Sequence, residues 1–253
     1  MVKKLLILHG LSSGSNFKNG SEHLFMDRAI RALSLIAKNH QMDIVFHSWC
    51  NDEQKNIVDN LKPVKYQFEN PKTFIKPNVL DLLKDLRWRL TKRGSNELLR
   101  KNNIMSRWYS FNQSLVLSEE FATDYENIII TRFDVIIKNP EMINSWNVSK
   151  GEIGLAKWYG VKLNENEWVN DTELKNYSLS ELIEVDSQNG LHDFLLVINS
   201  LDLKTFLKLM VFSKKNIQLN SNHKILDKFI LTEGLGKKYL LSYPKNITLS
   251  RWI

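Results

Sequence analysis

The 253-residue sequence contains a single cysteine, Cys50, so neither a disulfide framework nor a cysteine-rich zinc site can be built from it. It has no apolar run approaching the roughly 18 residues needed to span a bilayer. The run Leu5-Leu6-Ile7-Leu8 after Lys3-Lys4 stops at His9-Gly10. It is too short for a signal-peptide core, has no small-residue cleavage site after it, and reads as a buried first strand. Internal repeats, low-complexity tracts and Pro/Gly-rich linkers are missing, which predicts one domain over 1–253. The Gly-Lys-Ser/Thr ending of a nucleotide-binding P-loop is also missing, which disfavours an ordinary kinase or NTPase. Gly10-Leu11-Ser12-Ser13-Gly14 follows the first strand with no room for earlier sheet, so it is not read as a hydrolase nucleophile elbow. None of the six histidines has close metal-ligand spacing with another, so spacing alone predicts no zinc site.

What is present is an ordinary globular balance, with 43% hydrophobic and 25% charged residues, which excludes a disordered chain. The net charge of +7 favours an anionic partner. Part of the excess is local: Lys84, Arg87, Arg89, Lys92, Arg93, Arg100 and Lys101 are opposed only by Asp85 and Glu97. This stretch reads either as a solvated helix face or as a docking surface for anionic membrane or a phosphate-bearing acceptor. The chain's aromatics mostly fall at helix-core spacing or at strand ends, so a nucleic-acid-binding module is the weaker reading and no nucleic-acid partner is expected.

Hydrophobic patterning predicts strands at Leu5–Leu8, Asp43–His47, Val64–Phe68, Asn127–Thr131, Glu152–Trp158 and His192–Asn199. It predicts helices over Ser21–Lys38, Asp52–Leu61, Val79–Leu90, Ile104–Phe121, Ser200–Phe212 and Ser221–Glu233, with Ser200 and Ser221 as N-caps. Irregular structure is expected over Asn164–Gly190. Strands alternating with helices imply a layered α/β fold with a mostly parallel sheet and helices on both faces.

In such sheets ligands sit beyond the carboxyl ends of the strands. That rule selects His9, Gly10 and the Ser12–Ser15 loop, then Ser48, Trp49 and Asp52, then Arg132 and Asp134, then Trp158 and Tyr159, with Asp193 near the late strand. A carboxylate directly after a buried strand is costly unless something pairs it. For Asp134 the solutions are a divalent cation bridging it to a diphosphate, or Arg132 as partner. The bland alternative is a purely structural Arg132–Asp134 ion pair.

Three segments in order carry a family resemblance: Asp43-Ile44-Val45-Phe46-His47-Ser48-Trp49, then Met105-Ser106-Arg107-Trp108-Tyr109-Ser110, then Tyr125 to Val135 with its Arg132-Phe133-Asp134. Together they resemble bacterial glycosyltransferases of capsule and lipopolysaccharide gene clusters. The C-terminal half resembles them mainly at His192-Asp193-Phe194 and around His223–Ile230.

The resemblance implies a GT-A-like fold with a nucleotide-binding part over about 1–140 and an acceptor part over about 141–253. It implies a nucleotide-sugar donor, a surface-polysaccharide or oligosaccharide acceptor that could be lipid-linked, and a cytoplasmic setting, peripheral at the inner face of the membrane. It places Asp134 where the family's Asp-x-Asp motif has its final aspartate, holding Mn²⁺ or Mg²⁺ against the diphosphate. Arg132 stands where that motif has Asp, which leaves open whether Arg132 replaces the metal as the leaving-group clamp. His9, Gly10, Ser12 and Trp49 would embrace the nucleotide. Asp193 is the candidate general base for an inverting reaction, or else a strand-start aspartate capping loop amides. His223 is a late metal ligand, a phosphate contact, or an ordinary helix residue. A P-loop-like sulfotransferase, using backbone amides and basic residues, is the rival enzyme class.

Overall fold

The computed structural model describes residues 3–12, 22–77, 79–91, 97–169, 176–177, 181, 183–243 and 246–249. The Ser13–Ser15 part of the first loop, Lys92 and Arg93 lie outside the described residues, as do 170–175, 178–180 and 182 within the expected Asn164–Gly190 irregular stretch. The side chains of Arg89, Trp158 and Tyr159 are likewise undescribed.

Three short apolar runs build the centre of the sheet: β1 (Lys4–Gly10), β2 (Asp43–Trp49) and β4 (Asn127–Arg132). All are parallel, with β1 between the other two. β3 (Lys65–Glu69) extends the sheet beyond β2, again in parallel. The chain then turns the sheet's direction: β7 (Ile183–Asn199) runs antiparallel to β4 and to β6 (Glu152–Lys162), and β8 (Gly236–Tyr243) closes the far edge parallel to β6. The order is β3-β2-β1-β4-β7-β6-β8, and β5 (Val135–Ile137) pairs separately with β9 (Ile247–Leu249).

The runs are continuously apolar because both sheet faces are covered, so alternate side chains enter two different cores. Leu6, Leu8, Ile44, Phe46 and Ile129 pack with α1 (Glu22–Asn39) and α2 (Gln54–Leu61). Leu5, Ile7, Val45, Ile128 and Ile130 pack with α4 (Glu97–Ser118), α6 (Leu209–Lys215) and α7 (Asn222–Thr232). On α4 the buried residues Ile104, Trp108, Phe111 and Leu115 recur at helical spacing. The fold is therefore α/β, mostly parallel, with helices on both faces.

Several elements differ from expectation. β6 continues past Trp158 to Lys162, and β7 begins at Ile183, so the last part of the Asn164–Gly190 segment belongs to a strand. Their pairing supplies the backbone hydrogen bonds that the polar composition did not suggest. The single helix expected from Ser200 to Phe212 is a 3₁₀ turn followed by α5 (Leu203–Phe206) and α6, and its cap is Asn199, whose side chain accepts from the Leu201 N–H. Ser221 does cap α7, accepting from the Lys224 N–H, and Gly234 leaves the helix with φ of +67°. α3 (Val79–Thr91) matches its expected helix, while α4 begins earlier than Ile104.

Among the described glycines, Gly154 has the closest neighbours. A Cβ added there would overlap the end of the Leu240 side chain and sit 2.9 Å from the Val197 Cβ on β7. Relief requires spreading β7 from β6. Gly154→Ala should therefore destabilise the protein by about 1–3 kcal/mol, read as a lower denaturation midpoint at unchanged m. An unchanged or raised midpoint would show that the strands yield freely.

Candidate functional site

The parallel register sets the candidate site at one edge. His9 lies opposite both His47 and Arg132, so the ends of β2, β1 and β4 present these residues side by side. β7 completes the edge from the opposite direction, and an irregularity in its pairing aims the chemistry. On β6, the adjacent residues Leu155 and Ala156 pair with Leu196 and His192, so Asp193, Phe194 and Leu195 bulge away from that neighbour. A bulge frees backbone carbonyls and redirects side chains. Here the freed carbonyls are taken by other elements: the Asp193 carbonyl accepts from Arg107 of α4, and the Phe194 carbonyl accepts from Thr131 Oγ1 at 2.9 Å.

The Asp193 carboxylate, fully buried, faces Arg107 Nη1 at 2.5 Å on one oxygen and His223 Nδ1 at 3.0 Å on the other. Burial alone would raise its pKa, but Arg107, His223 and Arg132 together outweigh that and hold it well below the usual carboxylate range. Burial lowers Arg107 to about 10 against the pull of Asp193, so it stays charged at neutral pH. Arg132 lies over the Phe194 ring, 5.0 Å from its centroid, and donates to Asp134 Oδ2. The other Asp134 oxygen is buried without a hydrogen-bond partner. His9 is held neutral, first by burial and then by Arg107 and Arg132. His192 is pushed down to about 3 by burial and His223. Ligand atoms of His192, Asp193 and His223 lie within 4.8 Å of one another, close enough to share one metal ion.

A second group lines the ends of β2 and β3. Glu69 accepts from Tyr109 Oη at 2.9 Å and from Lys72 Nζ at 2.6 Å, and His47 Nε2 approaches it at 3.7 Å. Tyr109 stacks on Trp49 with ring centroids 5.8 Å apart, and Phe74 packs against both rings. Ser110 ties this group to the first strand, since its hydroxyl accepts from the Gly10 N–H at 2.7 Å and meets His47 Nδ1 at 2.8 Å.

The residues selected from the sequence thus separate into two sets. Arg132, Asp134, His9 and Asp193 converge on one charged cluster. Gly10, Ser12 and Trp49 belong to the second region, where each is engaged by the protein itself. Gly10, at φ of +100°, donates to Ser110. Ser12 is buried, and its hydroxyl lies 2.6 Å from that of Ser48. Trp49 is buried with one face on Tyr109. Asp193 is paired by Arg107 and His223 and not by loop amides. Arg107, Glu69 and Lys72 received no role from the sequence. The available signal for Arg107 was an arginine one turn before Ser110, next to the buried face formed by Ile104, Trp108 and Phe111.

The sequence matches no protein-family model and no curated protein. Among solved structures, the chain is similar to the CTP:phosphocholine cytidylyltransferase from Streptococcus pneumoniae, at 11% identity and TM-score 0.47 over 98% of this chain and 92% of that one. It is similar to a glycosyltransferase involved in the glycosylation of the major capsid of PBCV-1, at 10% identity and TM-score 0.44 over 94% and 80%. It is also similar to a galactosyltransferase in complex with donor and acceptor sugar analogues, at 12% identity and TM-score 0.45 over 93% and 72%. Likeness at this level fixes neither the family nor the activity.

The buried histidines make stability pH-dependent in a defined direction. His47 titrates near 6.5 in the unfolded chain but at about 4 in the folded protein, where burial outweighs the pull of Glu69. A depressed histidine favours folding while neutral. Its contribution is complete above about pH 6.5 and lost as pH falls toward about 4, at about 1.4 kcal/mol per unit. Urea unfolding at about pH 7.5 and about pH 5 should show wild type losing stability, with His47→Gln losing about 1–2 kcal/mol less over the same interval. Equal losses in the two proteins would place the acid sensitivity elsewhere.

Proposed function

We propose that this chain is a glycosyltransferase that moves one sugar from a nucleotide-sugar donor to a surface-polysaccharide or oligosaccharide acceptor, in the cytoplasmic assembly of capsule or lipopolysaccharide. The observation that carries the reading is the charged cluster at the carboxyl ends of β1 and β4, where antiparallel β7 passes and Arg107 and Arg132 face Asp193 and Asp134. Cleaving a sugar–diphosphate bond leaves negative charge on the diphosphate, so preorganised cations at that point stabilise the transition state most. Two guanidiniums already held in place by carboxylates supply such charge without reorganising. The three resembling segments support the same assignment, because they contribute Arg107, Arg132 and Asp134 to this one place.

The residues also fit a divalent cation. Asp134 has a buried oxygen without a hydrogen-bond partner, and His192, Asp193 and His223 converge within ligand distance of one another. Two imidazoles and a carboxylate can hold a divalent transition metal such as Fe²⁺, Zn²⁺ or Mn²⁺. Bound there, the ion would neutralise charge on the leaving diphosphate. Arg132 orients Asp134, and Arg107 keeps Asp193 ionised. A carboxylate held this far below its usual range is a weak base, so Asp193 suits charge-holding better than proton removal. On this reading residues 1–140 bind the nucleotide, with the aromatic group of Trp49, Phe74 and Tyr109 beside it, and residues 141–253 face the acceptor. Among the described residues of the first loop, the Gly10 and Ser12 N–H groups, which a sulfotransferase would offer to phosphate, are donated to Ser110 and Ser48.

Thermal-shift measurements with UDP, GDP, CMP and CDP, each with and without Mn²⁺, test the proposal. One nucleotide should stabilise the fold, by about 2.7 kcal/mol at a hundredfold excess over its dissociation constant. A shift requiring Mn²⁺ assigns the cation to the site, and one indifferent to it makes the arginines the clamp. No shift with any nucleotide overturns the proposal. Asp134→Ala should lower transfer by about 10²-fold or more while leaving the melting temperature near wild type. Near-normal turnover would remove Asp134 from the site.

A further inference from the structure

Helix α3 is built with its apolar side outward. Val79, Leu82, Leu83, Leu86 and Leu90 are each more than half exposed, from 52% at Leu82 to 77% at Leu90. Helical spacing places these five on one stripe. The residues on the opposite side are acidic: Asp81 and Asp85 are half-buried and engaged with other groups of the protein. An ordinary surface helix has the reverse arrangement, and an apolar stripe left in water is unfavourable by the full transfer free energy of its side chains.

The charges beside the stripe say what covers it. Arg87 is exposed along the border of the stripe and Lys84 further round α3, with Lys76 and Arg100 exposed on the chain entering α3 and in the first turn of α4. An apolar stripe flanked by exposed cations is the pattern of a helix lying in a membrane interface, where leucines enter the acyl boundary and basic side chains reach the headgroup phosphates. A second copy of the chain is the poorer occupant. One face of a 13-residue helix, about 20 Å long, falls well short of the roughly 800 Å² per partner that a stable interface buries, and self-pairing would set these cations against each other.

We infer that α3 docks the protein on a bilayer surface containing anionic phospholipid. The docking couples to the candidate site through α4, against which α3 packs. The chain entering α3 is pinned to α4 by Asn102, whose Oδ1 accepts from the Phe74 and Ile75 N–H groups at 3.0 Å. The Phe74 ring in turn packs on Tyr109 and Trp49. Through these contacts α3 is tied to the helix that carries Arg107 and Tyr109. This inference rests on α3 and its surroundings and is independent of the substrate assignment.

Co-sedimentation of the full chain with vesicles of phosphatidylcholine, with and without phosphatidylglycerol, tests it. The protein should sediment with the phosphatidylglycerol vesicles, remain in solution with phosphatidylcholine alone, and dissociate as salt is raised. The double substitution Leu83→Gln with Leu86→Gln should weaken binding about tenfold or more, and Arg87→Gln about fivefold, with melting temperatures close to wild type. The inference is overturned if wild type ignores the anionic vesicles, or if binding is indifferent to the leucine substitutions. It is equally overturned if light scattering shows a dimer that those substitutions disperse, which would make a second copy the occupant.

Discussion

A buried carboxylate on a bulged strand has to be compensated, and the arrangement of the charged edge follows from how Asp193 meets that requirement. Removed from water, its charge is tolerated because Arg107 and His223 face its two oxygens. Arg107 does more than neutralise it, since the same guanidinium takes the Asp193 backbone carbonyl that the bulge leaves without a β6 partner. The pair thereby joins α4 to β7 across the end of the sheet. That tie anchors the helix carrying Tyr109 and Ser110 on the late strand, beside the Thr131–Phe194 hydrogen bond that links β4 to β7.

This constraint propagates in two directions. Toward β4, Arg132 is set beside the Phe194 ring and paired with Asp134, giving a second arginine–aspartate unit next to the first. Toward β1 and β2, the positive charge of Arg107 and Arg132 helps keep the buried His9 neutral, and Ser110 links Gly10 to His47. Nearly all of these groups lie at the carboxyl ends of parallel strands or on the one helix that passes beneath them. The edge is therefore rigid where charge must be held, and the apolar stripe of α3 is linked to it through α4, Asn102 and Phe74.

Much of the architecture was legible in the residues. Continuous apolar runs such as Ile128-Ile129-Ile130 require cover on both faces, which implies a layered sheet before any contact is known. Ser221 and Gly234 bound α7 by local capping and backbone freedom, and local signals survive whatever the tertiary context. The start of β7 was not legible, because the run Asp186-Ser187-Gln188-Asn189-Gly190 is polar and its strand character comes from pairing with β6. Likewise Ser200 yielded its capping role to Asn199, one residue away, a choice made by where β7 stops.

For the site, the sequence by itself determined that a strand runs straight into Arg132 and Asp134, and that a carboxylate so placed needs a partner, because desolvation acts wherever the fold puts it. It also determined the basic excess and the absence of any close histidine–histidine spacing. Only the tertiary structure decided which partners were chosen: Arg107 for Asp193, and the gathering of His192, Asp193 and His223 into one ligand-sized group. His192 and Asp193 come from a bulged strand and His223 from the start of a helix, and their meeting depends on β7 turning antiparallel to β4 and on α7 packing back against it. Sequence fixes what each residue can do within its own turn or strand. Distances between elements are fixed by packing, and a charged site is made of those distances.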